Sequence, residues 1–115
     1  MSLRNSLYFI VDSNDTGFTI RFDASHPIFS GHFPGHPIVP GACLIQIAEE
    51  LASEQLGQTV RFTAIRNLKF RQPVTPDMQI VLSIRDGKVT VYDLSLTEIY
   101  AQFAATYLCS HSYVQ

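Results

Sequence analysis

The pattern of apolar and polar positions divides the chain into one helical stretch and several extended ones. From Gly41 onward, Leu44, Ile47, Ala48, Leu51 and Ala52 recur at spacings of three and four. At 100° per residue they form one apolar stripe, with Ile45 at its edge. Gln46, Glu49, Glu50 and Ser53 fall on the other side. Gly57 is placed to end the helix, after about four turns.

Elsewhere the period is two. Residues 7–11 form a short apolar run rich in β-formers, closed by a turn over 12–17. Phe18, Ile20 and Phe22 alternate with Thr19, Arg21 and Asp23, which predicts a half-buried strand and a hairpin with the first. Residues 60–70 are β-rich, and residues 74–77 read as a turn with Pro76 in it. Residues 79–85 predict a strand with Ile80, Leu82 and Ile84 on one face. Asp86-Gly87 is a strong hairpin signal. A strand over 88–97, a tight reversal near Glu98 and a last strand over 100–109 complete the pattern.

The order is β-β-loop-helix-β-β-β-β. One helix cannot supply right-handed crossovers for a parallel sheet of so many strands. The expected fold class is therefore α+β, a mostly antiparallel sheet with the helix on one face. At 115 residues the whole chain, 1–115, is expected to form a single domain.

Composition narrows the function classes. A net charge of −2 and a pI near 6.0 give no bulk-charge argument for nucleic acid or a membrane surface. No apolar run reaches the length of a membrane span, and no signal peptide is visible, so a cytoplasmic location is expected. Cys43 and Cys109 follow no metal-type spacing and read as buried thiols in a reducing compartment.

The candidate chemistry lies in Gly31-His32-Phe33-Pro34-Gly35-His36-Pro37-Ile38-Val39-Pro40-Gly41. It holds three of the six prolines, three of the six glycines and two of the four histidines. Such a loop is tightly shaped around His32 and leads into a helix whose first amides have no internal partner. Those amides favour a partial negative charge nearby. An imidazole beside them suits removal of a proton next to a carbonyl, because the resulting enolate oxygen needs stabilising. The other reading of His32 is a structural histidine in a turn.

The same eleven residues resemble the active-site motif of the 3-hydroxyacyl-[acyl-carrier-protein] dehydratases with the hotdog fold. Phe29-Ser30 before it, residues 68–77 (LKFRQPVTPD) and Ala104-Ala105-Thr106-Tyr107 are similar to further segments of that family. The first strand lies close to the start of the chain, so the N-terminal extension of many members is expected to be shortened or missing. The resemblance implies a curled antiparallel sheet wrapped around a central helix, and a homodimer or a higher assembly of dimers with sheets joined edge to edge. It implies an acyl thioester substrate on an acyl carrier protein or coenzyme A, lying at the protomer boundary. No cofactor is implied, since phosphopantetheine arrives with the carrier. His32 of one protomer would act as base on C2 of the acyl chain, and the Gly41 amide would polarise the thioester carbonyl. Phe33 and Pro40 would line the substrate site.

One position departs from the family. The second catalytic residue, a glutamate or aspartate fourteen positions after the histidine, is Gln46 here. An amide cannot donate a proton to a departing hydroxyl, although it can hydrogen-bond one. General-acid assistance is typically worth about 10²–10⁴-fold in rate. Glu50 lies one turn further on the same side, about 6 Å along the axis, and is the candidate replacement acid. Glu49 diverges more in azimuth. His26, His36 and His111 have no assigned chemistry, and no metal site is expected. Arg61, Arg66, Lys69 and Arg71 form either an ordinary charged edge or a docking strip for an acidic carrier. The expected activity is dehydration of a 3-hydroxyacyl thioester to the trans-2-enoyl product, in fatty-acid or polyketide-type metabolism. The alternatives are a hotdog thioesterase and a catalytically silent acyl-binding subunit.

Overall fold

A computed structural model of the chain describes residues 2–30 and 35–110. Six strands and one long helix follow the expected order. They are β1 (Tyr8–Ser13), β2 (Phe18–Phe22), α1 (Gly41–Leu56), β3 (Val60–Phe70), β4 (Gln79–Arg85), β5 (Lys88–Tyr92) and β6 (Ile99–Cys109), with a short 3₁₀ turn at Pro27–Phe29 before the helix. The strands form one sheet in the order β1-β2-β4-β5-β6-β3, and every pairing is antiparallel.

The sheet curls because its ladders are interrupted. Bulges lie between Ile10 and Asp12, between Phe62 and Ala64, and between Arg66 and Lys69. Each adds an unpaired residue that bends its strand and increases the local twist. At the last of these Asn67 takes φ 55°, in the left-handed region that asparagine tolerates. Helix α1 lies against β3 and β4, and its predicted stripe is its buried face. Leu44, Ile47, Ala48, Leu51 and Ala52 are each 5% exposed or less. Phe18, Ile20 and Phe22 of β2 and Ile80, Leu82 and Ile84 of β4 meet them in the core.

Turn chemistry sets the strand ends. Asp86 and Gly87 both have positive φ, 50° and 80°, the signature of a two-residue hairpin whose twist matches its strands. Gly57 ends α1 at φ 69° and donates its N–H to the Ser53 carbonyl.

Two expectations are corrected. The strand over 88–97 ends at Tyr92. Asp93 stops it: its carboxylate accepts from the backbone N–H groups of Thr97 and Glu98, each 2.8–2.9 Å away, and from the Ser95 hydroxyl. The reversal therefore spans residues 93–98, with Leu96 at φ 62°. The two thiols, expected buried, are both half-buried and free of any disulfide.

Candidate active site

The helix begins where sequence places it, at Pro40-Gly41. Pro40 fixes the approach at φ −59° and ψ 144°, and its carbonyl accepts the first helical bonds from Cys43 and Leu44. The Gly41 and Ala42 amides precede those bonds and point out of the helix end. No side chain caps them. The preceding loop is fastened to the connection between β3 and β4 by the Val39 N–H, which donates to the Val74 carbonyl at 2.7 Å. On its other side the loop follows the 3₁₀ turn, whose Phe29 is buried and whose start is capped by His26 Nδ1, accepting from Ile28 N–H at 3.1 Å. His26 thus has a structural part, and His36 is exposed. His32, Phe33 and His111 lie outside the described residues.

Gly41 is required here for space. A Cβ at this position would stand 2.5 Å from Cζ of Phe70. The Phe70 ring lies over the helix start while remaining 51% exposed. Beside it runs a mainly apolar cleft of about 360 Å³, lined by Ile38, Gly41, Leu44, Phe70, Arg71 and Val74 among others. An open apolar cleft ending at unbonded helical amides can take an apolar chain whose polar head carries partial negative charge.

The polar side of α1 is not solvent-facing. Glu49 accepts from the Phe62 N–H at 2.7 Å, and the Ser53 hydroxyl accepts from the Val60 N–H at 2.9 Å, so both hold the start of β3. Glu50 faces the N-terminal segment. Its Oε1 accepts from the Tyr8 hydroxyl at 3.0 Å, the Arg4 N–H at 3.0 Å and the Ser2 hydroxyl at 3.3 Å. Its Oε2 accepts from the Leu3 N–H at 2.8 Å and from Gln46 Nε2 at 3.1 Å. Burial first, and the neighbouring Glu50 charge second, hold the Tyr8 hydroxyl well above the usual phenol range, so it stays a donor. Arg4 turns its guanidinium to Glu54 in an exposed ion pair.

The structure therefore brings Gln46 and Glu50 together and places Gly41 and Pro40 at the helix start. Sequence reasoning did not find Tyr8 or the backbone of residues 3–4 as partners of Glu50. Tyr8 carried a faint signal, as the one phenol in the otherwise apolar run 7–11. Among the described residues no cluster of histidine, cysteine or carboxylate side chains could hold a metal ion. Among the described residues no helix is long and apolar enough to cross a membrane.

A family model described as ApeI-like, ApeI dehydratase, matches residues 10–110. The chain belongs to the ApeI-like dehydratase family. Among solved structures, the dehydratase heterocomplex ApeI:P from Xenorhabdus doucetiae superposes with a TM-score of 0.67 at 26% identity, over 81% of this chain and 85% of that one. The family's hotdog architecture, one helix enclosed by a curled antiparallel sheet, is the one described above. An uncharacterised protein from Erwinia carotovora subsp. atroseptica shares the fold, with a TM-score of 0.59 at 21% identity over 90% of this chain and 93% of that one.

Curated relatives include 3-hydroxyacyl-[acyl-carrier-protein] dehydratases FabZ. The one from Rhizobium etli is 35% identical over 68% of this chain and 56% of its own length. The one from Syntrophobacter fumaroxidans is 35% identical over 53% of this chain and 47% of its own length. The matches thus span about half the length of these relatives.

Proposed function

We propose that this chain dehydrates a 3-hydroxyacyl thioester, delivered by an acyl carrier protein or coenzyme A, to the trans-2-enoyl thioester. The observation that carries the reading is the dehydratase family match over residues 10–110, which includes His32, Gly41 and Gln46 in one unit. His32 takes the proton from C2. The Gly41 N–H donates to the thioester oxygen as negative charge builds there, and the acyl chain follows the apolar cleft beside Phe70. Pro40 and Phe33 shape the entrance. The 3-hydroxyl leaves as water from the side of the helix where Gln46 stands, and the proton it needs is a second one, distinct from that held by His32.

Gln46 hydrogen-bonds the hydroxyl but supplies no proton. Glu50 was the candidate acid by spacing, and its five donors favour a holding part for it. The acid then comes from water, with slow turnover, or from a second chain. The relative from Xenorhabdus doucetiae is a heterocomplex by its title. A matching partner for this chain is a second hotdog chain bearing a carboxylate at the position of Gln46. In such a pair, His32 of this chain and the partner's carboxylate complete one site. The outer edge of β3 suits that pairing. β3 closes the sheet order with β6 on one side only, and Leu68 and Phe70 are exposed along it. Arg61, Lys69 and Arg71, all exposed near the same edge, suit an acidic carrier.

The test is turnover of a 3-hydroxyacyl carrier thioester by the purified chain, alone and with a carboxylate-bearing hotdog partner. The reading predicts enoyl product that disappears in His32→Ala. Release of free thiol from an acyl thioester would instead indicate a thioesterase, and binding without turnover in either mixture a silent acyl-binding subunit.

A further inference from the structure

Glu50 sits at a junction that the dehydratase reading leaves unused. Four of its donors come from the N-terminal side: the amides of Leu3 and Arg4, the Ser2 hydroxyl and the Tyr8 hydroxyl. The fifth is the Gln46 amide. Backbone amides cannot rotate, and one binds each carboxylate oxygen. The carboxylate plane is thereby fixed from outside the helix, and its Oε2 holds the Gln46 NH₂ group at 3.1 Å.

We propose that Glu50 is a positioning residue for the side chain at position 46, and that residues 2–8 are the clamp that holds Glu50 in that part. The proposal rests on the dehydratase reading only for the statement that position 46 faces the substrate. Glu50 is an acceptor, so it binds the amide by its NH₂ end and not by its oxygen. Oxygen and nitrogen lie about 120° apart on a planar amide carbon, so Oε1 of Gln46 is turned away from Glu50. A carbonyl oxygen recognises a donor.

The same geometry dictates what a carboxyl at position 46 would do. It would meet Glu50 across a hydrogen-bond distance, and two such carboxyls share a proton. The other groups facing this junction are the Tyr8 hydroxyl, which stays protonated, and the Arg4–Glu54 pair, whose opposite charges offset each other. Glu49 faces β3 instead.

The experiment uses NMR of the full chain and needs no substrate. In the native protein the Gln46 side-chain NH₂ protons should exchange slowly. In Glu50→Gln they should exchange roughly tenfold faster or more, as expected on losing a hydrogen bond to a charged acceptor. Tyr8→Phe, which keeps the ring in the core, should shift the same NH₂ signals. In Gln46→Glu, ¹³C-carboxyl titration should show residues 46 and 50 losing protons in two separated steps. In Gln46→Glu/Glu50→Gln the single carboxyl should titrate in one step, at lower pH than the upper step of the pair. If Glu50→Gln or Tyr8→Phe loosens residues 2–8 while the Gln46 NH₂ signals stay in place, Glu50 is only a tether and the proposal falls. Two independent, ordinary titrations in Gln46→Glu would overturn it as well. Absence of dehydration in any chain leaves these readouts unaffected, so the two readings fail separately.

Discussion

Gln46 donates its side-chain amide to the Glu50 carboxylate across one turn of α1, at 3.1 Å. The amide stands where dehydratases of this type are expected to carry the acid, and the carboxylate stands one turn away, engaged by the N-terminal segment. The first prediction follows from that exchange of places. Gln46→Glu should raise the rate of dehydration by about 10²-fold or more, since it restores a proton donor. The gain should appear in kcat with little change in KM, measured on a 3-hydroxyacyl thioester. An unchanged kcat would mean that the acid already comes from elsewhere.

Gly41 and Phe70 share one space. Gly41→Ala pushes a methyl group into the Phe70 ring, with 2.5 Å between Cβ and Cζ. It should cost about 1–3 kcal/mol in urea unfolding, the range for overpacking. Phe70 is half exposed, so its removal should relieve the strain. Gly41→Ala/Phe70→Ala should therefore be no less stable than Phe70→Ala alone. A simple sum of the two single effects would show that the ring moves aside at no cost.

Leu51 is fully buried at the centre of the helical stripe. Leu51→Ala should lower stability by about 2–5 kcal/mol, the transfer of the lost methyl groups plus the cavity left behind. Chemical denaturation checks this directly. A loss below about 1 kcal/mol would mean that the site collapses around the smaller residue.

Asp93 supplies a pH dependence. The Glu98 N–H first, then the Ser95 hydroxyl and Thr97, hold its carboxyl well below the usual 3.8. A carboxyl depressed in the folded state adds stability that is fully present above 3.8 and is lost as pH falls through the folded value. Asp93→Asn should flatten the loss of stability on acidification below about pH 4. Thermal unfolding of both proteins between pH 2 and 5, taken on a common scale, measures it. Parallel curves would contradict it.

The elements whose ends are made by local chemistry were legible in the sequence. The helix runs from the Pro40-Gly41 entry to the Gly57 stop, and β4 runs up to Asp86-Gly87, because those residues act on their own backbone. The buried stripe of α1 was legible for a similar reason, since its period is a property of the helix itself. The end of β5 was not. Residues 93–97 alternate Leu94 and Leu96 with polar residues, which imitates a strand. The Asp93 side chain overrides that pattern by capturing amides four and five residues on.

The candidate site was legible at its helix end and not at its flank. Gly41 and Gln46 follow from the motif and its spacing. Glu50 could be placed one turn from Gln46, but its partners could not be named. They come from residues more than forty positions away, residues 2–4 and Tyr8 at the start of β1. The partners of the polar side of α1 are hidden from the sequence for the same reason. Glu49, Glu50 and Ser53 are polar because they hold backbone amides of two other segments, and no helical period records that.

The central claim is that His32 begins an elimination from a 3-hydroxyacyl thioester. The most direct measurement follows the C2 proton: exchange of that proton with deuterated solvent, together with enoyl formation, on a 3-hydroxyacyl carrier thioester. The account predicts C2 exchange and enoyl product in the native chain, both faster in Gln46→Glu, and both abolished in His32→Ala. Native turnover equal to that of His32→Ala, or free thiol in place of enoyl product, would contradict it.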